Sequence, residues 1–273
     1  MNKDLKLKIK FEGGEADNHR LEIYEAGVSI HGLARATAIS MHAFLNNGKV
    51  RSRVETIHGA KIYITPSQKG SFQEIITIVM EAESVGTIGT TVAATATWEF
   101  IKWSWAKAMG READEPTSRH AKKILKENED LEAELSIALE SPLEQVHRPI
   151  SNNEEVKISL SKNLTKDTIE LNQESLDYVS TRTESGIEKG ISGNVTRYNI
   201  LSGNGRLYDD RLGRTISFGL DSDVSQVEKK LLTWSIDEGN SGRDGKLLLD
   251  VNRIINKRGE TKRYVVVEVK END

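Results

Sequence analysis

The sequence of 273 residues contains no cysteine, which excludes disulfides, thiolate metal sites and a cysteine nucleophile. Aromatic residues amount to only 5%, and the net charge of −4 gives no overall attraction to nucleic acid or to an anionic membrane. Residues 1–10 alternate charged and apolar side chains and lack the continuous apolar core of a signal peptide. We therefore expect a cytoplasmic protein in a reducing environment.

Catalytic motifs are also missing. No serine lies in a Gly-x-Ser-x-Gly elbow, and no glycine-rich loop is followed by Lys-Ser or Lys-Thr. The six histidines have no partner at metal-ligand spacing. We expect a protein that is not an enzyme and that uses no metal or cofactor, although an acidic site assembled from distant carboxylates stays open.

The N-terminal part of the chain alternates between two hydrophobic periods. Residues 5–11 have the period of two that predicts a strand with one buried face, and residues 21–45 have the spacing of three and four that predicts an amphipathic helix. Strands are then expected at residues 50–57 and 61–65, and a further strand at 70–80. This order predicts a small antiparallel sheet with long helices.

Two helical segments follow. Residues 81–110 and 117–139 predict an αα-hairpin, with Pro116 at the start of the second helix. Two of the four prolines then fall within residues 141–155, a composition typical of a domain boundary. We therefore expect an α+β domain over residues 1–145.

The remaining residues are rich in predicted strands. A strand near residues 156–160 is followed by five more and by one helix at 224–236, which lies between the third and fourth of those five. That order predicts an OB-like, small five-stranded β-barrel domain over residues 155–273. The five strands are expected at residues 190–199, 203–208, 215–220, 246–251 and 262–270.

Three of the four tryptophans lie between residues 98 and 105, at the end of a segment rich in Gly, Ala and Thr. Such a segment suits a packing helix, an oligomer interface or, for residues 84–109, a helix that perturbs a membrane after a trigger. The sequence leaves these three alternatives open. The residues expected at an oligomer interface are Val85, Ile88, Val92, Trp98, Ile101 and Trp105.

A second cluster lies in the predicted barrel, where four arginines and two tyrosines fall within eighteen residues. Basic side chains interleaved with aromatic ones are typical of barrels that bind single strands, the arginines contacting phosphates and the tyrosines stacking on bases. In the alternative reading, the tyrosines pack at the barrel rim and the arginines pair with nearby aspartates. The candidate nucleic-acid contacts are Arg197, Tyr198, Arg206, Tyr208, Arg211 and Arg214.

Several runs resemble an uncharacterised bacterial two-domain family. That resemblance implies an α+β N-terminal domain with an apolar helix and a C-terminal five-stranded β-barrel, and it supplies no activity. It covers most of the chain. The matching runs are residues 25–35, 48–51, 69–72, 100–103, 193–199, 203–206 and 212–218.

The sequence thus favours a non-enzymatic, self-associating scaffold or partner-binding component of a bacterial multi-protein system, such as one for phage defence. We expect a homo-oligomer with a protein partner and no resident membrane span. One alternative is a single-stranded nucleic-acid-binding module that uses the barrel. The other is the triggered membrane-perturbing effector.

Overall fold

A computed structural model describes residues 3–54, 56–65, 73–89, 91–128, 130–162, 165 and 167–272. The chain divides into two compact units between Ser180 and Thr181. Unit 1 therefore covers residues 1–180 and unit 2 covers residues 181–273, and each has its own hydrophobic core.

Unit 1 combines an antiparallel sheet with a layer of helices, in the strand order β2-β3-β1-β4-β5. Its elements in chain order are β1 (Lys3–Glu12), α1 (Ile23–Leu45), β2 (Ala60–Thr65), β3 (Gln73–Met80), α2 (Ala82–Ile88), α3 (Ala93–Ala108), α4 (Arg119–Glu127), α5 (Leu131–Val146), α6 (Arg148–Asn152), β4 (Lys157–Lys162), β5 (Thr168–Leu171) and α7 (Gln173–Val179).

Unit 2 contains β6 (Thr181–Thr183), β7 (Glu188–Tyr198), β8 (Asn204–Asp209), β9 (Arg214–Leu220), α8 (Gln226–Asn240), β10 (Lys246–Asn256) and β11 (Thr261–Glu271). The strand order β7-β8-β9-β11-β10 returns to β7, because β10 pairs with both β11 and β7. The β9–β11 pair is parallel and the other pairs are antiparallel. The predicted α+β class is confirmed, and so is the closed five-stranded barrel.

Strand β1 shows how the sequence builds unit 1. Its apolar side chains alternate with lysines, and all four of Leu5, Leu7, Ile9 and Phe11 are buried. Because alternate side chains point to opposite faces of a strand, these four face the helices while the lysines face away. The strand lies in the middle of the sheet, between β3 and β4.

Helices α1 and α5 cross closely because α1 carries a glycine at the contact. A Cβ added at Gly32 would lie 2.6 Å from the carbonyl oxygen of Pro142 and from the amide nitrogen of Val146. One turn earlier, the hydroxyl of Ser29 donates to the carbonyl oxygen of Val146 at 2.7 Å. A larger side chain at Gly32 would force the two helices apart.

The tryptophan-rich helix α3 lies in the core of unit 1, which corrects the expected oligomer interface. Trp98, Ile101 and Trp105 are at most 2% exposed, and Val85 and Ile88 on α2 are also buried. A side chain that is packed inside its own chain cannot also contact a second copy while the fold is intact. Of the six expected interface residues, Val92 alone is exposed, at 46%.

The indole nitrogens of this helix also have partners inside unit 1. Trp105 donates to the hydroxyl oxygen of Ser40 on α1 at 3.2 Å, and Trp98 donates to a carboxylate oxygen of Asp167 at 2.6 Å. A buried indole N–H normally finds such an acceptor, since leaving it unpaired costs free energy. The segment is therefore a packing helix, the first of the three alternatives.

The domain boundary lies later than residues 145–155. Strand β4 pairs with β1, with residues 7 and 162 opposite each other, so β4 completes the first sheet. The barrel begins after Ser180. Pro142 lies inside α5 and Pro149 in the first turn of α6, so these prolines mark helix positions and not a linker.

Two local predictions also change. Residues 50–54, 56 and 57 form no strand, whereas the strand at residues 61–65 is confirmed and begins one residue earlier. The helix expected at 81–110 is two helices, because α2 ends at Gly89, which has a φ of 111°. The helix expected at 117–139 is likewise divided, into α4 and a longer α5 that reaches Val146.

Candidate nucleic-acid interface

The barrel wall separates buried inward side chains from exposed outward ones. On β8, Gly205, Leu207 and Asp209 are buried, so Asn204, Arg206 and Tyr208 point outward. On β9, Ile216 and Phe218 are buried, so Thr215 and Ser217 point outward. The outward surface of β8 and β9 is the part of an OB-type barrel that binds oligonucleotides and oligosaccharides in other proteins.

A row of arginines crosses this outward surface. Arg197 on β7 lies opposite Arg206 on β8, Arg206 lies opposite Ser217 on β9, and Ser217 lies opposite Arg263 on β11. Three of these four facing positions are arginines, and neighbouring strands are about 4.8 Å apart. We call Arg197, Arg206, Tyr208, Ser217 and Arg263 the arginine face.

No carboxylate belongs to the strand segments that form this face. Residues 189–208, 214–220 and 261–267 contain no Asp or Glu. Arginines directly opposite each other on neighbouring strands repel, which lowers the stability of the sheet. The row therefore concentrates positive charge on one surface of the barrel.

Arg206 is the central arginine, and one of its nitrogens is unsatisfied. Its Nε is buried and has no hydrogen-bond partner among the residues that the structure describes. Its main-chain carbonyl oxygen is used in the sheet, where it accepts from the hydroxyl of Thr196 at 3.3 Å. An acceptor such as a phosphate oxygen would satisfy this Nε.

Tyr208 lies two residues along β8 from Arg206 on the same face. It is 42% exposed, and its cross-strand neighbours are Asn194 and Thr215. The two side chains start about 7 Å apart, given the rise of a strand. An exposed ring beside a guanidinium provides both a stacking surface and a phosphate contact.

Tyr198 has a different environment from the one expected. It lies opposite Gly205 and stacks on Phe218, with ring centroids 6.4 Å apart and ring planes 18° apart. Burial raises the pKa of its phenol. A Cβ on Gly205 would overlap the Phe218 ring, so the glycine provides the space for this packing. Tyr198 therefore stabilises the barrel and is not placed to stack on a base.

Arg211 is held by carboxylates at the other end of β8. Its guanidinium pairs with Glu188 and lies 4.0 Å from a carboxylate oxygen of Asp209. The hydrogen bond to Glu188 raises the pKa of Arg211. Asp209 is fully buried and accepts from the Tyr264 hydroxyl at 2.5 Å and from the Leu212 amide at 2.9 Å.

This cluster stabilises the inside of the barrel. Burial, together with the hydrogen bond to Asp209, raises the pKa of the Tyr264 phenol, so Tyr264 stays protonated and continues to donate. Arg214, at the start of β9, donates to the main-chain carbonyl of Thr261 at 3.0 Å and so links β9 to β11. Of the four predicted arginines, Arg197 and Arg206 form the outward row, whereas Arg211 and Arg214 make these internal contacts.

The β7–β8 loop adds two exposed apolar side chains beside the face. Ile200 and Leu201 are 73% and 98% exposed. The side chain of Asn199 shapes the loop, because its carbonyl oxygen accepts from the Leu201 amide at 2.9 Å. In OB-type barrels this loop and the loop between the last two strands flank the ligand. Here the latter loop carries the exposed cations Lys257 and Arg258.

Arg263 and the loop cations Lys257 and Arg258 were not predicted as candidate site residues from the sequence. Arg263 joins the row because β11 pairs with β9 in parallel, with residues 263 and 217 opposite each other. The two residues are far apart in sequence, so no local pattern connects them. The sequence did predict the strand itself, at residues 262–270.

The part of the chain that the structure describes contains no group of three His, Asp or Glu side chains that is positioned to hold a metal ion. Its helices include none that is long and apolar enough to cross a bilayer.

Comparison with known proteins gives two family matches. Residues 7–180 match a domain of unknown function, DUF7946, and residues 188–270 match a family of unknown function, DUF7947. The two matches correspond to unit 1 and unit 2. No curated protein and no solved structure matches the chain. Because the first match covers more than half of the sequence, the chain belongs to the DUF7946 family, with a DUF7947 domain after it.

Proposed function

We propose that the C-terminal barrel binds single-stranded nucleic acid across the arginine face. The observation that supports this proposal most directly is the row Arg197–Arg206–Ser217–Arg263, which places three arginines at four facing positions on neighbouring strands. Repulsion between these groups is relieved when a phosphate backbone lies across them. In this proposal the protein is a non-enzymatic binding component of the cytoplasm.

Tyr208 is the residue that would make the arginine face prefer single strands over a duplex. Its exposed ring lies two residues from Arg206, so a base can stack on it while the neighbouring phosphate contacts the guanidinium. Base–aromatic stacking is worth about 1–3 kcal/mol per base and needs an unpaired base. Ile200 and Leu201 offer a further apolar surface at the edge of the same face.

The direct test is fluorescence anisotropy of the full chain with labelled oligonucleotides of about 12 nucleotides, a length within the site size of OB-type barrels. Single-stranded DNA, single-stranded RNA and duplex DNA are compared from about 50 mM salt upward, because phosphate contacts are strongest at low salt. We expect binding of single strands that weakens steeply with salt. Absence of binding at low salt would contradict the proposal.

Substitutions assign the contact to the face. Arg206→Gln is expected to weaken binding and to make the dependence on log salt shallower by about 0.7, the change for one lost phosphate contact on a single strand. Arg243→Gln is the matched control, since Arg243 lies outside the face and pairs with Glu238 at 2.6 Å. Equal losses in both variants would show that net charge, and not the face, carries the binding.

Stacking is tested separately by Tyr208→Ala and Tyr208→Phe. The alanine variant is expected to weaken binding by about tenfold, within the range measured for one stacked base. The phenylalanine variant retains the ring and is expected to bind like the unchanged protein. If both variants lose affinity equally, the hydroxyl and not the ring makes the contact, and the stacking part of the proposal fails.

A further inference from the structure

An apolar groove in unit 1 lies between α1 and the edge strand β2, far along the sequence from the arginine face. It has a volume of about 660 Å³. Binding sites for small molecules typically have volumes of about 300–1,000 Å³ and are lined mostly by apolar side chains. This α1–β2 groove is lined mainly by apolar residues, and its polar residues include two cations, one histidine and two threonines.

The apolar part comes from two matching patterns. On β2, Ile62 and Ile64 lie on the side of the sheet that faces the helices, opposite Ile78 and Ile76 of β3. On α1, Ile30, Ala34 and Ala38 follow the spacing of four that places them on one side of the helix. Although Ile64 faces the helix layer, it is 52% exposed. The groove thus leaves apolar surface uncovered where the sheet ends.

The charged residues of the groove are of one sign. Arg35 and Lys61 line the groove together with the polar His31, and its described lining residues include no Asp or Glu. Arg35 is held in place, since one of its terminal nitrogens donates to the side-chain oxygen of Gln145 at 3.0 Å. His31 and Lys61 are exposed and Arg35 is half-buried, so these three side chains lie toward the mouth of the groove.

Thr37 contributes a buried hydroxyl to the lining of the groove. Thr37 lines the groove and is completely buried, and its Oγ1 has no hydrogen-bond partner among the described residues. Buried polar groups are normally hydrogen-bonded, so an unpaired hydroxyl requires an explanation. A polar group of a bound molecule would supply the missing partner.

We propose that the α1–β2 groove binds a small amphipathic anion. The ligand has an apolar body on the isoleucines and alanines, a carboxylate or similar group at the cations, and a second polar group that reaches Thr37. The volume is that of one small molecule, and the single unpaired hydroxyl matches one polar group on an otherwise apolar body.

The test uses the full chain and three twelve-carbon compounds that compete with the fluorescent probe anilinonaphthalene sulfonate. Dodecanoate carries the anion, dodecanol lacks it, and a mid-chain hydroxydodecanoate adds the second polar group. We expect saturable probe binding and displacement by dodecanoate at a concentration about tenfold lower than by dodecanol, the effect of one charge-assisted hydrogen bond. Equal displacement by the acid and the alcohol would overturn the proposal.

Variants locate the site. Arg35→Gln is expected to remove the preference for the acid over the alcohol, whereas Arg119→Gln, the same change on an exposed position of α4, leaves it intact. Ala34→Trp fills the groove from an exposed position and is expected to abolish displaceable probe binding. Unchanged binding in the Ala34→Trp variant would place the probe elsewhere and overturn the assignment.

Thr37→Val separates a ligand contact from a structural role. The proposal predicts that this variant binds dodecanoate unchanged, loses any advantage of hydroxydodecanoate, and unfolds at the same or a higher urea concentration, because an unpaired buried hydroxyl has been removed. A lower unfolding midpoint with no change in either affinity would show that Thr37 serves the fold alone.

Discussion

The two sheets of this protein end in different ways. The sheet of unit 1 is open, with β2 at one edge and helices on one face, whereas five strands of unit 2 close into a barrel. The inward side chains of this barrel fill its interior, so the site that we propose in unit 2 lies on the outward surface, at the arginine face. An open sheet can leave a groove between its last strand and the covering helix, as at α1 and β2. Where a sheet ends thus determines where a ligand can bind.

The largest expected effect is on the core of unit 1. Trp105→Ala removes a fully buried indole and leaves Ser40 without its donor, so we expect unit 1 to lose about 3–5 kcal/mol of stability. Hydrogen exchange read by mass spectrometry should show the loss in peptides from residues 1–180 and little change in residues 181–273.

Val92→Ala is the control for this substitution, because Val92 belongs to the same segment and is half-exposed. We expect it to change stability by less than about 0.5 kcal/mol. Light scattering after size exclusion tests the self-association expected from the sequence. A multimer that Trp105→Ala dissociates without loss of stability would contradict the burial of α3.

Acid is expected to affect the stability of the two units differently, since all six histidines lie in unit 1. His147 is fully buried, with Nδ1 2.7 Å from the Leu143 carbonyl oxygen and Nε2 2.7 Å from the Ser175 hydroxyl. Burial lowers the pKa of His147 from 6.5 to about 4. A histidine with a lowered pKa in the folded state stabilises the fold above pH 6.5 and loses that contribution as the pH falls toward 4.

We therefore expect unit 1 to lose about 3 kcal/mol between pH 7 and pH 4 through His147, as its shift implies. Urea unfolding at several pH values, followed by the tryptophans of α3 in a Trp234→Phe background, measures this loss for unit 1. His147→Gln should unfold at a midpoint that depends less on pH. An equally steep dependence in that variant would assign the effect to other groups.

A smaller effect is expected inside the barrel. Tyr264→Phe removes the hydroxyl that donates to Asp209, and the buried carboxylate then lacks one donor. We expect unit 2 to lose about 1–3 kcal/mol. Tyr208→Phe is the matched control, because its ring is exposed, and its stability should be unchanged. Equal stability of the two variants would mean that the Asp209 contact contributes nothing.

The smallest expected effect has the opposite sign. Arg206→Gln removes the central charge of the arginine row, so without nucleic acid we expect unit 2 to gain about 0.2–1 kcal/mol, the range for cross-strand pairs. Arg243→Gln breaks an exposed ion pair and should lower stability only slightly, because solvent screens such pairs. A loss of stability in Arg206→Gln would show that Arg206 supports the fold.

Local patterns predicted where the helices and strands of this fold lie better than they predicted which elements pair with each other. Short runs of sequence are enough to show the alternation in β1 and the order of strands and helix in the barrel. Strand β1 and this order are both confirmed. One of the two partners of β1 is β4, whose residues lie more than a hundred positions later, so the boundary was placed too early. The hydrophobic periodicity of a strand does not indicate which distant strand it pairs with.

The candidate site was predictable to the same extent. Arg206 and Tyr208 were identified because arginines and tyrosines cluster within eighteen residues of the predicted barrel, and the structure places both on the outward side of β8. Arg211 was included by its type alone, yet its partner Glu188 lies on another strand. The tryptophans of α3 illustrate the same limit, since a buried helix and an interface helix have the same composition. Only the position of α1, α5 and the sheet distinguishes the two.

The central position of β1 has a consequence for synthesis on the ribosome. One edge of β1 pairs with β3, but its other edge pairs with β4, which is translated much later. At about 5–20 residues per second, the free edge waits on the order of ten seconds for its partner. Throughout that interval a nascent chain presents an unpaired strand with four large apolar side chains. An unpaired edge of this kind is open to pairing with a wrong strand, so the sheet of unit 1 is most exposed to misassembly before residues 157–162 are made.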